Sequence, residues 1–166
     1  MGAIDELPAA PPAEGGFVAQ YLPALLTQAA AHLVGDFAEQ VRAAGLSVLE
    51  WRVLATLADG GPVPLGLLAR RAATKQPTLT RLIDRLAQQT LVQREPDPQD
   101  RRQTLLRITP AGHTTVRRLI QQAQAHQQQQ RQQFGDARWQ QLVGLLQALV
   151  PDAAGGAGSA VVNGPL

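Results

Sequence analysis

The sequence predicts a mainly α fold with one small β-hairpin. Three observations carry that prediction. Apolar residues recur at three- and four-residue spacing through most of residues 17–150. The turn-forming loop "PDPQDRR" (96–102) separates two short β-type runs, "LVQRE" (91–95) and "QTLLRIT" (103–109). Two helix-start signals, Ser47 with Glu50 and Thr109 with Pro110, punctuate the periodic stretches.

From Phe17 the rhythm Tyr21, Leu22, Leu25, Leu26, Ala29, Leu33, Val34, Phe37, Val41 predicts one long first helix that ends at Ala43 to Gly45, with Pro23 in its first turn. "SVLE" is a capping-box pattern, so a second helix follows Ser47, buries Leu49, Val53, Leu54 and Leu57, and stops at Gly60-Gly61-Pro62. "PLGLLARRAA" gives a short third helix with Leu65, Leu68 and Ala69 inward. "ATKQPTLTRLIDRLAQQT" gives a fourth, from Thr74 to Thr90, with Thr74 as its cap and Leu79, Leu82, Ile83 and Leu86 as its buried stripe. Two short helices separated by a break of three or four residues read as a helix-turn-helix, and the hairpin after them reads as a wing. A fifth helix starts at Thr109-Pro110 and runs through the glutamine-rich tract, and a sixth is "DARWQQLVGLLQALV". The Ala-, Pro- and Gly-rich ends, 1–16 and 151–166, carry neither period and are expected to be flexible tails around a domain of residues 17–150.

Composition removes several function classes. The chain has 166 residues, which suits one domain, and no cysteine, so disulfides and thiolate ligands are excluded. His32, His113 and His126 are scattered without a ligand spacing, and no metal or other cofactor is expected. No Ser-His-acid, paired-carboxylate or phosphate-loop arrangement appears, so an enzyme is not expected. No 18-residue apolar run or basic-then-apolar leader occurs, and the expected location is the cytoplasm, away from the membrane.

Net charge is only +2, but residues 70–107 hold nine basic side chains (Arg70, Arg71, Lys75, Arg81, Arg85, Arg94, Arg101, Arg102, Arg107) against four acidic ones. That segment is +5 and the remainder −3, a concentration that suits a polyanionic partner.

The combination of "TLTRLIDRL", "LVQR", "DRR" and "ITPAG", flanked by long helices, resembles the MarR family of winged helix-turn-helix transcriptional regulators over residues 17–150. The resemblance implies a homodimer paired through the first, fifth and sixth helices, double-stranded DNA with a palindromic operator as partner, and repression as the outcome. It places Thr74, Lys75, Gln76, Thr78, Thr80, Arg81 and Arg85 on the helix that enters the major groove. At the wing, Asp100, Arg101 and Arg102 match a recurrent Asp-x-Arg arrangement in which the carboxylate braces the loop and an arginine meets the minor groove. For a small aromatic carboxylate or phenolic effector it implies a pocket near Tyr21, His32, Trp51 and Arg52. A sequence-tolerant architectural DNA binder is the alternative that the same module allows. One departure stands out: after the recognition helix the family commonly has glycine for a left-handed cap, and here it is Thr90, so the turn is expected to close differently.

Overall fold

The computed structural model describes residues 16–100 and 102–150; both expected tails, apart from Gly16, and Arg101 lie outside them. The fold is mainly helical with a small antiparallel sheet, as the periodicity predicts. The chain forms two compact units, one ending at Val34 and the other beginning at Gly35.

In the first unit, α1 (Phe17–Gln20) stops at Tyr21, whose backbone is extended, and α2 (Leu22–Ala43) begins at the next residue. The single long first helix is therefore corrected. Pro23 does occupy the first turn of α2, where its missing N–H costs nothing. A second interruption falls at Gly35, whose φ of 6° and ψ of −106° lie outside helical values. Phe17, Val18, Tyr21, Leu22, Leu25 and Leu26 are all exposed, with Phe17 and Tyr21 stacked at 4.9 Å.

The second unit holds the core. The later part of α2 buries Phe37, Ala38 and Val41. α3 (Val48–Gly60) begins with the complete capping box: Ser47 Oγ accepts from Glu50 N at 3.2 Å, and Ser47 N donates to Glu50 Oε2 at 2.7 Å. Its Trp51, Val53, Leu54 and Leu57 are buried, each of these side chains contributing about 1.5–3 kcal/mol of transfer free energy. β1 (Val63–Pro64), α4 (Leu65–Arg71) and α5 (Gln76–Gln88) follow, then β2 (Val92–Pro96), β3 (Thr104–Ile108), α6 (Pro110–Phe134) and α7 (Asp136–Leu149). The wing hairpin pairs Val92 with Ile108 and Pro96 with Thr104. β1, too short to show a period, adds a third strand in the order β1-β3-β2.

Both helices of the helix-turn-helix end in left-handed residues that are not glycine. At the end of α4, Ala73 has φ +49°, Ala73 N bonds Arg70 O, and Thr74 N bonds Ala69 O at 2.9 Å. Thr74 thereby completes the turn that closes α4 and does not cap α5. The residue before α5 is Lys75, extended and without a side-chain cap bond, and the helix runs from Gln76 rather than from Thr74. At the end of α5, Thr90 has φ +60°, with Thr90 N bonding Ala87 O and Leu91 N bonding Leu86 O. This is the six-to-one turn that glycine usually closes, so the expectation that Thr90 would force another closure is overturned.

Thr109 explains why Thr90 tolerates that geometry. Its hydroxyl donates to Thr90 O at 2.6 Å and accepts from Gly112 N at 3.0 Å, while Thr109 N bonds Leu91 O at 3.0 Å. One residue thus caps α6 and holds the carbonyls of the left-handed Thr90 and of Leu91 after it. Gly112 permits the approach, because a Cβ there would lie 2.3 Å from Leu91 O and 2.6 Å from Ile108 Cγ1.

Two substitutions check this corner by thermal unfolding. Gly112→Ala is expected to destabilise by about 2–3 kcal/mol, since backbone cannot step aside as a flexible side chain would. A melting temperature unchanged by Gly112→Ala would contradict the close approach. Thr90→Gly is expected to stabilise by about 0.5–1 kcal/mol through relief of a β-branched residue at positive φ; a fall in melting temperature would show that the threonine side chain contributes more than its strain costs.

Candidate nucleic-acid interface

Helix α5 owes its two faces to its sequence. Leu79, Leu82, Ile83 and Leu86 are buried in the core, and Gln76, Thr78, Thr80, Arg81, Asp84, Arg85 and Gln88 are exposed. Of the residues expected to read DNA, Lys75, Gln76, Thr78, Thr80 and Arg81 therefore lie on or beside its solvent-facing surface. Thr80 Oγ1 donates to Gln76 O at 3.0 Å, which orients its hydroxyl along the helix. The Gln76 amide lies against Gly66 in α4, where an added Cβ would come within 3.0 Å of Gln76 Nε2. Thr74 is half-buried in the turn before the helix.

The basic residues divide into two groups. Arg85 Nη2 meets Glu50 Oε1 at 2.8 Å, Arg94 Nη2 meets Asp84 Oδ1 at 2.6 Å, and Arg107 engages Glu95 through Nε and Nη2 at 3.0 Å. The Arg94–Asp84 pair ties β2 to α5. Arg71, Lys75, Arg81 and Arg102 are exposed and, among the described residues, have no acidic partner. They leave positive charge uncompensated on the helix-turn-helix and the wing.

At the wing tip Asp97 Oδ1 accepts from Gln99 N at 2.8 Å, and Asp97 N bonds Gln103 O. Asp100 organises the other side of the loop: Oδ1 accepts from Arg102 N at 3.0 Å and Oδ2 from Gln103 Nε2 at 3.1 Å. The carboxylate holds the Arg102 backbone, and the guanidinium is left exposed. Arg101 lies outside the described residues.

The four residues expected around an effector fall in different units. Tyr21 and His32 are exposed in the unit ending at Val34. Trp51 and Arg52 belong to the other unit. Trp51 is fully buried against Phe37, with ring centroids 5.3 Å apart and planes at 71°, and Phe37 in turn stacks on His126. Arg52 is half-buried and donates from Nη1 to Ala72 O at 2.9 Å; burial pushes its pKa down. Trp51 Nε1 and Arg52 Nε are buried without a hydrogen-bond partner among the described residues. A separate surface hollow of about 300 Å³ lies between α3 and α6, lined by Ala58, His113, Arg117, Ile120 and Gln121. None of the four expected residues lines it.

Three contacts were missed in the sequence. Glu50 shows there only as a capping residue, and its bond to Arg85, 35 positions on, has no local signal. The Asp84–Arg94 pair is hidden for the same reason. His126 and Gln130, whose side chains meet at 2.9 Å, do carry a signal in their four-residue spacing.

No group of three or more His, Cys, Asp or Glu side chains placed to hold a metal ion occurs among the described residues, and no helix there is long and apolar enough to cross a membrane.

Residues 46–104 match the model of the MarR family. That span runs from just before α3 to the first residue of β3. A MarR family transcriptional regulator from Silicibacter pomeroyi superposes with a TM-score of 0.74 at 29% identity, covering 82% of this chain and 100% of that one. The winged helix-turn-helix region of this chain belongs to the MarR family. Among curated relatives, the homoprotocatechuate degradative operon repressor of Escherichia coli is 28% identical over 125 residues, 75% of this chain and 84% of the repressor. An uncharacterized HTH-type transcriptional regulator of Mycobacterium leprae is 38% identical over 72 residues, 43% of this chain and 50% of that protein. The chain thus spans about half the length of such more identical relatives. The structure of NadR in complex with 4-hydroxyphenylacetate, at 23% identity and a TM-score of 0.74 over 85% of this chain and 99% of NadR, shows the same fold.

Glu50 supplies a test of the electrostatics. Burial raises its pKa, but the Ser47 backbone and side-chain bonds and the Arg85 charge outweigh that and hold it below the ordinary value. A depressed folded-state value means stability that is present above the unfolded value of about 4.3 and is lost as pH falls through the lower folded one. Glu50→Gln, which can keep the capping box, is expected to be less stable than the parent at pH 7, with the gap closing in the acid range. Urea unfolding across pH 3–7 reads this, and a pH-independent gap would contradict it.

Proposed function

We propose that this MarR-family chain is a homodimeric transcriptional repressor that reads a palindromic operator and is released by a small aromatic carboxylate or phenol. The observation that carries the DNA reading is the division of cations described above. Lys75 just before α5, Arg81 on α5 and Arg102 on the wing are exposed and unpaired among the described residues, and Gln76, Thr78 and Thr80 on α5 offer base- and phosphate-directed hydrogen bonds. Glutamine can pair bidentately with adenine in the major groove, and an arginine on a wing suits a narrow minor groove.

Dimerisation is supported by apolar surface that the single chain leaves uncovered. Phe17, Leu22, Leu25 and Leu26 in one unit, and Leu145 and Leu149 on α7, are exposed, and α7 buries no residue in the isolated chain. An aromatic effector is supported by the Trp51–Phe37–His126 cluster with its unpartnered indole N–H. The E. coli relative's role at a homoprotocatechuate operon and the 4-hydroxyphenylacetate bound to NadR point to the same ligand chemistry.

Fluorescence anisotropy on the upstream intergenic DNA of its own gene, against scrambled DNA, tests the proposal. Specific binding is expected to exceed non-specific binding by about 1,000-fold or more. Arg102→Ala is expected to weaken both and lower the salt slope by about one unit, whereas Gln76→Ala changes which bases are preferred. Equal losses on all sequences from both substitutions would overturn the assignment, and absence of any preference would leave an architectural binder. Addition of 4-hydroxyphenylacetate or salicylate is expected to lower operator affinity; unchanged affinity and melting temperature across such acids would remove the effector from the proposal.

A further inference from the structure

Among the described residues Glu50 is the buried charged side chain, and its two carboxylate oxygens serve different elements. Oε2 accepts from Ser47 N and closes the start of α3, while Oε1 holds Arg85 at 2.8 Å on α5. Two residues later, Arg52 sends its Nη1 to Ala72 O at the end of α4, 2.9 Å away. Trp51 lies between them, fully buried, so the segment that carries both groups is anchored in the core.

We propose that Glu50 and Arg52 are positioning residues for DNA recognition: one turn of α3 clamps the two arms of the helix-turn-helix, α5 through Arg85 and α4 through the Ala72 carbonyl. This rests on the reading that α5 enters DNA, and it removes Arg85 from the residues that contact it. Base recognition by paired hydrogen bonds requires a fixed helix pose, whereas attraction to phosphates does not. Loss of the clamp therefore costs operator preference more than it costs general DNA affinity. A direct phosphate contact by Arg85 would behave in the opposite way.

The test measures anisotropy on the same operator and scrambled DNA over a range of salt, for the parent and for Glu50→Gln, Arg85→Ala, Arg85→Lys, Arg52→Met and the double Glu50→Gln/Arg85→Ala. Glu50→Gln, Arg85→Ala and Arg52→Met are each expected to lower operator affinity about tenfold, with scrambled-DNA affinity within about twofold and the salt slope unchanged. The double variant should be no worse than the poorer single, because both remove one interaction. Arg85→Lys, which can keep the ion pair, should recover most of the loss. Thermal melting identifies any variant that does not fold, and Arg85→Lys and Arg52→Met then carry the comparison. A slope reduced by about one for Arg85→Ala, with Glu50→Gln equal to the parent, would make Arg85 a phosphate contact and overturn the clamp. Additive losses in the double variant would overturn it as well. A parent protein with no operator preference defeats the DNA reading itself, a result visible before any substitution is compared.

Discussion

The corner at Thr109 is the constraint on which the recognition module depends. Four elements converge there: the end of α5, the start of β2, the end of β3 and the start of α6. The Thr109 hydroxyl and amide satisfy the carbonyls of Thr90 and Leu91, and the same hydroxyl receives the Gly112 amide in the first turn of α6. Backbone groups at helix ends need such partners, and here one residue supplies three. The close passage of Gly112 under Leu91 is what brings the partners within reach. The "ITPAG" run is therefore a joint, and it fixes where the wing leaves the recognition helix.

A second set of restraints acts on the same module. Glu50 and Arg52 on α3, and Arg94 on β2, each hold a neighbouring helix through a charged bond. Exposed pairs of this kind add little to stability, roughly 0–1 kcal/mol, but a directional bond between two elements constrains their angle even where its net energy is small. The Glu50 pair differs from the others because its carboxylate is buried, so leaving it unpartnered would cost more than an exposed pair gains. Charge in this chain is sparse, and most acidic groups near the recognition helix serve this internal bracing. The cations left over, Arg71, Lys75, Arg81 and Arg102, are exposed without an acidic partner among the described residues.

Much of the fold was legible in the sequence. The Ser47–Glu50 box, the Thr109-Pro110 start, the buried stripe of α5 and the hairpin around residues 97–103 all depend on neighbours within a few positions, and each occurs as its pattern requires. Thr74 and Thr90 depart from their local patterns because left-handed helix ends are usually marked by glycine, and this chain closes two of them with Ala73 and Thr90. The break at Tyr21 and the kink at Gly35 were masked by an apolar rhythm that continues across both. Among the candidate site residues, the exposure of Gln76, Thr78 and Arg81 follows from helical periodicity, whereas the bracing of the Arg102 backbone by Asp100 is an expectation that came from the family resemblance.

Local pattern thus determined the elements, their order and the polar face of α5, because propensity, capping and periodicity act over one or two turns of chain. Only the tertiary structure decided which charges are spoken for: Arg85 and Arg81 stand on the same exposed side of one helix, and packing brings a buried carboxylate to the first alone. It also decided that Thr90 could hold a conformation its side chain disfavours, since the compensating donor comes from Thr109, 19 residues away. Pairings across such separations depend on how helices and strands meet in space, a relation that no local spacing in the sequence records.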